Sequence, residues 1–353
     1  MVADVYLNGE KLGQHKGAFT AFRFDVTGKL KAGKNVLLVK VDNTKPTTNN
    51  DLTAIAPLSG DFNVAGGLYR GVSLVATPNA AHFALDDLGS SGIFAKTTAV
   101  SGGTATVNIN AKLKNDTKVD GNFIIQASLL EADGKTVKKA IQKTVSIKAG
   151  ASAELAQDMS VESAHLWNGL SDPYLYKLVV ELKDSAGAPL DKVVQDFGIR
   201  TMSFDANTGF YLNGKSYPLH GVNMHQDALG KAWAITPADT DEKLDVIKEI
   251  GANTLRLAHY PHDQYTLQQA DKRGLVVWAE HPFVDKNVLD CKTTTGPTVE
   301  FKANQNLQLK ELIRQQFNHA SIGMWSIANE VGWEKTCNGV DYITPMLKEL
   351  HTL

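Results

Sequence analysis

The sequence predicts antiparallel β structure through residue 201 and a parallel α/β architecture after it. Three observations carry this. Apolar and polar residues alternate in pairs through 1–201, broken by Asn-Gly and Gly-Gly turns and with no helical period. At 236–251 the spacing turns helical behind Thr236-Pro237. From 217 onward, apolar strands and helices alternate strictly. The 353 residues, 43% hydrophobic and 21% charged, suit a folded chain of two or three domains. A net charge of −2 offers no basic excess for nucleic acid or an anionic membrane. No apolar run approaches the ~20 residues of a membrane span, and residues 1–15 lack the apolar core of an export signal. The compartment is left open. Cys291 and Cys337 are too few for a disulfide framework or, alone, a zinc site.

Over 1–79, Val5 and Leu7 alternate up to Asn8-Gly9, a tight-hairpin signal. Phe22, Phe24 and Val26 alternate next, an apolar run spans 36–41, and 44–51 reads as a long loop. Residues 68–75 read as a further strand before Pro78, so this block is part of a β-sandwich. Over 80–201, strands such as 105–109, 123–129 and 175–182 recur between turns at 101–103, 115–116, 132–134 and 185–187. That rhythm suits an immunoglobulin-like sandwich, here without the antibody-type disulfide because both cysteines lie elsewhere.

Over 202–353, strands are expected at 217–224, 253–258, 275–280 and 322–328. Helices are expected at 236–251, 262–273 and 299–319, with a last one starting near Asp341. Leu244, Ile247 and Ile250 fall on one face of the first helix, and Gly251 ends it. Residues 210–353 number 144, whereas a closed eight-unit barrel takes about 250. The block is therefore a small open α/β domain or the first half of a (β/α)8 barrel, and the strand ends favour the half barrel.

Those ends carry His225-Gln226-Asp227, Arg256 through His259, Glu280-His281, and Trp325 through Asn329-Glu330. Catalytic groups of barrels come from the carboxyl ends of strands. A single strand-end glutamate is commonly a loop ion pair, and a single histidine commonly a hydrogen-bonded rim residue. Asn329-Glu330 behind a tryptophan-bearing strand is more specific. All five tryptophans follow residue 166, and indoles beside carboxylates suit a sugar site, core filling being the alternative. Arg256, at the end of a buried strand, requires a partner. No nucleophile elbow, P-loop or dinucleotide fingerprint is present. His259 and His262 lack a carboxylate at ligand spacing, so no metal site is read.

These segments resemble glycoside hydrolase family 2, most of all its β-galactosidases, along essentially the whole chain. The resemblance rests on 4–9, 66–70, 197–200, 219–227, 256–261 and 325–330. It implies a partial sugar-binding jelly-roll β-sandwich at 1–79, an immunoglobulin-like β-sandwich at 80–201 and the N-terminal half of a catalytic TIM barrel at 202–353. It implies retaining hydrolysis of terminal β-D-galactosides, with β-glucuronidase or another family activity as the rival, and a non-catalytic carbohydrate-binding remnant as the rival of another class. Position by position, Glu330 matches the acid/base, and Asn329, His225, His259 and Asp61 match substrate-binding residues. Arg256, Glu280 and Trp325 match supporting ones. The family nucleophile lies on a later barrel strand, so the chain is expected to be a piece lacking it and nearly inactive alone. The magnesium-binding Glu-x-His of the family is not seen where the chain reads Phe283-Val284-Asp285-Lys286. The implied partner is a β-galactoside or oligosaccharide, and for the full-length protein a homo-oligomer is among the expectations.

Overall fold

A computed structural model describes residues 1–44, 62–284, 298–331 and 339–352. Asp61, Cys291, Trp333 and Cys337 lie outside the described residues.

The N-terminal sheet runs β2 (Glu10–Lys16), β1 (Val2–Leu7), β3 (Leu37–Asp42). Asn8 and Gly9 take φ of 53° and 89°, so Leu7 faces Glu10 across a two-residue turn. Positive φ at both positions matches the turn to the strand twist. Two expected strands are absent. Residues 22–26 keep their alternating burial but pair with no strand among the described residues; Phe22 instead stacks on His15 with centroids 4.5 Å apart. Residues 68–75 also form no ladder among the described residues, and Leu74 is 68% exposed. Alternation is local, but a strand also needs a neighbour for its N–H and C=O groups.

The middle block holds β4 (Ala81–Phe83), β5 (Ile93–Ser101), β6 (Thr104–Asn115), β7 (Gly121–Leu130), β8 (Val137–Ile147), β9 (Ser152–Val161), β10 (Tyr176–Asp184) and β11 (Pro189–Phe197). One sheet runs β4-β6-β5 with β9 also on β6, and the other runs β11-β10-β7-β8. Alternate residues of β6, β7 and β10 (Val107, Ile109, Ile125, Leu129, Leu178, Val180) are fully buried in one core. This is the expected immunoglobulin-like sandwich.

A small meander, β12 (Met202–Asp205), β13 (Gly209–Leu212) and β14 (Lys215–Ser216), leads into the α/β part. There β15 (Gly221–Met224), α1 (Pro237–Glu249), β16 (Thr254–Leu257), α2 (Gln264–Arg273), β17 (Val276–Glu280), α3 (Val299–Gln316), β18 (Ile322–Ser326) and α4 (Gly339–Thr352) alternate. The four strands lie parallel in sequence order, the first four units of a TIM barrel. Leu255, Leu257, Val277 and Ala279 face Leu244, Ile247, Leu267 and Ala270 of the helices. Thr236 caps α1 in a reciprocal box with Asp239. Ile250, expected on the buried face, is 64% exposed, because it is the C-cap and the chain turns away at Gly251, φ 79°. Among the described residues no helix is long and apolar enough to cross a membrane.

The β-rich blocks brace the half barrel. Fully buried Trp167 donates its indole N–H to the Asp271 carbonyl at 2.8 Å. Arg200 donates to the Ala320 and Ile322 carbonyls at 3.0 and 2.7 Å, gripping the start of β18. Helix α3 meets the N-terminal sheet through Glu311, whose carboxylate lies 3.0 Å from His15 and accepts from Thr20 at 2.5 Å.

Candidate active site at the strand ends

Register decides which side chains meet. Asn223, Arg256, Trp278 and Met324 align across the four strands. They lie on the face opposite Leu257, Ala279 and the helices. Two residues beyond Trp278, Glu280 shares that inner face. Its carboxylate is 1% exposed and takes Arg256 Nη2 at 2.8 and 3.0 Å on its two oxygens. His259 Nδ1 lies 3.0 Å from Oε1. A carboxylate only accepts, so Nδ1 carries the proton here. Arg256 also donates to Asn329 Oδ1 at 2.9 Å, and its guanidinium sits 5.3 Å from the centroid of Trp278. A charge as buried as Glu280 persists because it is paired and hydrogen-bonded.

β17 and β18 stay joined past their ends. His281 N–H donates to Ser326 O at 2.8 Å, and Asn329 N–H to Phe283 O at 2.9 Å. This pairing carries Asn329 to Arg256. The next residue, Glu330, takes φ 54° and presents an exposed carboxylate. A non-glycine residue in the left-handed region costs on the order of 1 kcal/mol, a cost typical of functional positions. Glu330 is thus an exposed carboxylate, whereas Glu280 is a fully engaged one.

The first two strand ends meet over aromatic rings. His225 Nδ1 lies 3.0 Å from the Tyr260 hydroxyl, and the two imidazoles have centroids 5.4 Å apart. Burial pushes the Tyr260 phenol far above its ordinary range, so it keeps its proton and can donate to Nδ1. Phe62 lies 5.4 Å from His225, 5.9 Å from His259 and 5.5 Å from Tyr260. Asn63 donates to Asp227 at 2.5 Å. Asp61, the expected sugar contact from this loop, lies outside the described residues.

The structure therefore brings together Arg256, His259, Glu280 and Asn329, sets His225 beside His259, and leaves Glu330 exposed one residue beyond Asn329. Trp325 goes elsewhere. It pairs with Ala279 in register and packs in the helix-side clusters with Ile322, Phe317 and Ile327, because β18 side chains alternate between faces. Trp278, 38% exposed, is the strand indole that faces the inner side. Sequence reasoning missed Phe62 and Tyr260 as contacts of the two histidines. Tyr260 stood within a quoted segment, whereas nothing local marks Phe62. His262 is buried with its Nε2–H 3.1 Å from Ala258 O, and burial pushes its pKa down to about 3. It is a neutral core histidine.

A divalent cation does not fit what is described. Arg256 donates to both oxygens of Glu280, and the described residues contain no group of three or more His, Cys, Asp or Glu side chains placed to hold a metal ion.

Three family models match the chain in order: "Glycosyl hydrolase 2 galactose-binding domain-like" over 1–60, "Glycosyl hydrolases family 2" over 91–200, and "Glycosyl hydrolases family 2, TIM barrel domain" over 206–351. A β-glucuronidase of Bacteroides fragilis is 37% identical over 100% of this chain and 48% of its own length. A β-galactosidase of Bacteroides ovatus is 30% identical over 94% of this chain and 36% of its own. Among solved structures, a putative β-galactosidase from Bacteroides fragilis superposes with a TM-score of 0.86 at 32% identity, covering 99% of this chain and 49% of that one. A Bacteroides uniformis β-glucuronidase gives 0.85 at 31% identity, covering 99% and 41%. The chain thus spans half or less of the length of these relatives. With three matched segments of the same family in order along almost the whole chain, the chain belongs to glycoside hydrolase family 2.

Proposed function

We propose that this chain forms the acid/base half of a retaining β-glycosidase acting on a terminal β-D-hexopyranoside. The observation that carries this reading is the exposed Glu330 carboxylate, on left-handed backbone, next to an Asn329 side chain held by the Arg256–Glu280 pair. In double displacement one carboxyl attacks the anomeric carbon while another protonates the leaving oxygen, then deprotonates water. Glu330 takes the second role. Asn329 is aimed by Arg256 at a ring hydroxyl, and His225 and His259 line the hexose subsite with Asp61. Glu280 makes a poor nucleophile because Arg256 and His259 occupy it. We assign the nucleophile outside the described residues.

Residues 1–79, 80–201 and 202–353 then serve as a sugar-binding jelly-roll part, an immunoglobulin-like spacer and the first half of the catalytic barrel. The relatives carry both sugar names. The expected galactoside and the rival glucuronide differ at C4, axial against equatorial hydroxyl, and at C6, hydroxymethyl against carboxylate, and stand equal. Assaying a longer protein that contains this chain on aryl β-D-galactoside and aryl β-D-glucuronide decides between them. Glu330→Gln should lower kcat about 10²–10⁴-fold on substrates with poor leaving groups and much less on activated aryl glycosides. Equal losses on both would remove Glu330 from the acid role. The 353-residue chain alone should turn over neither substrate at ordinary enzyme rates; brisk turnover would place the nucleophile within it.

A further inference from the structure

Arg70 lies in the N-terminal block, yet its guanidinium ends among the strand-end segments of the half barrel. Nη2 donates to Gln226 Oε1 at 2.6 Å and to the Pro261 carbonyl at 2.9 Å. Nη1 donates back to the Phe19 carbonyl, and Nε lies 3.9 Å from the Asp263 carboxylate. Gln226 is 3% exposed and adjoins His225; Pro261 follows His259 and Tyr260. One planar fork thus ties together the two segments that carry the candidate subsite histidines.

The surroundings make the tie stiff. Phe19 stacks on Tyr260 with centroids 4.4 Å apart, and Trp233 packs against Phe19, Tyr69 and Tyr260 at 5.2, 5.1 and 5.5 Å. The Tyr69 hydroxyl donates to Ala18 O at 2.5 Å. Arg70 lies outside the Arg256–Glu280 pair.

We propose that Arg70 is a positioning residue for the sugar subsite, setting the spacing of His225 and His259 by clamping Gln226 and Pro261 to the Phe19 segment of the N-terminal block. The proposal rests on the glycosidase reading above. The chemistry calls for arginine, because four acceptors lie around one plane and a lysine ammonium cannot reach them all from one point.

The experiment compares wild type, Arg70→Lys and Arg70→Met in a longer protein containing this chain, by kinetics on both aryl glycosides and by amide hydrogen exchange. Both variants should raise KM about tenfold with kcat changed less than about threefold, the pattern of lost uniform binding. The pH–rate limbs should stay in place. Exchange should quicken in peptides covering 225–228 and 258–263, with 105–113 as the folding control. Wild-type KM together with unchanged exchange at those segments overturns the proposal. So does a uniform loss of protection that includes 105–113, which marks Arg70 as merely structural. An inactive wild type instead overturns the glycosidase reading itself, and is told apart because it appears before any variant is compared.

Discussion

Arg256 carries two obligations that one side chain meets at once. It neutralises Glu280 and orients Asn329, with donor distances of 2.8 and 2.9 Å. Replacing it with methionine keeps the stem but leaves a carboxylate buried without its cation. Arg256→Met is expected to cost about 3–5 kcal/mol, read as a lower urea midpoint with an unchanged m-value. Two other side chains set the response to acid. Burial pushes His262 and His281 down to about 3 and about 4, from 6.5. The unfolded chain takes up protons as pH falls through 6.5 while the folded chain does not. Their contribution is therefore complete above that pH. It falls by about 1.4 kcal/mol per pH unit for each histidine until the folded pKa is reached. Urea midpoints at pH 7, 6 and 5 should decline accordingly, and His281→Gln should flatten part of the slope. The identities of these rim residues were legible, since Arg256, Glu280, Asn329 and Glu330 all stand at ends of apolar runs. Their partners were not, because the residues joined to Arg256 lie 24 and 73 positions away in sequence.

At the scale of elements, caps and turns were the most legible features, because their chemistry is local. Thr236-Pro237 starts α1, and Gly274 ends α2 with φ 75°. Gly274 does more than adopt a left-handed angle. A Cβ there would lie 2.2 Å from the Gly169 carbonyl oxygen, in the sandwich-to-barrel joint. Gly274→Ala should therefore cost well over the ~1 kcal/mol of an ordinary C-cap glycine, about 3 kcal/mol once the clash is added. Scanning calorimetry checks this; a drop of a degree or less would show the joint to be soft. Residues 22–26 and 68–75 mark where local reading fails. Both alternate in sequence, yet neither has a ladder partner among the described residues. Trp325 is the same lesson within a strand, since the inward or outward choice follows from register with β17.

Across the whole molecule, the half barrel is held by its β-rich neighbours at three places: Trp167 and Arg200 below, Glu311 along α3, and Arg70 with Phe62 at the rim. Trp167 sits where the sandwich, the meander and the sheet converge, packed with Phe210, Leu212, Val276 and Ala320. Trp167→Ala removes a fully buried indole and leaves the Asp271 carbonyl without its donor. A loss of about 3–5 kcal/mol is expected, measured by chemical denaturation. Separation into two unfolding transitions would show that the sandwich outlasts the barrel.

The sequence by itself determined the order of blocks, the parallel sheet and the titratable residues at its strand ends, since periodicity and capping act over a few residues. Only the tertiary structure decided which carboxylate is engaged and which is open, which indole faces the inner side, and that Phe62 and Arg70 complete the rim. Those outcomes depend on strand register and on contacts between segments more than a hundred residues apart, such as Arg70 with Gln226. No local pattern encodes such distances, and packing fixes them only when the blocks close on one another.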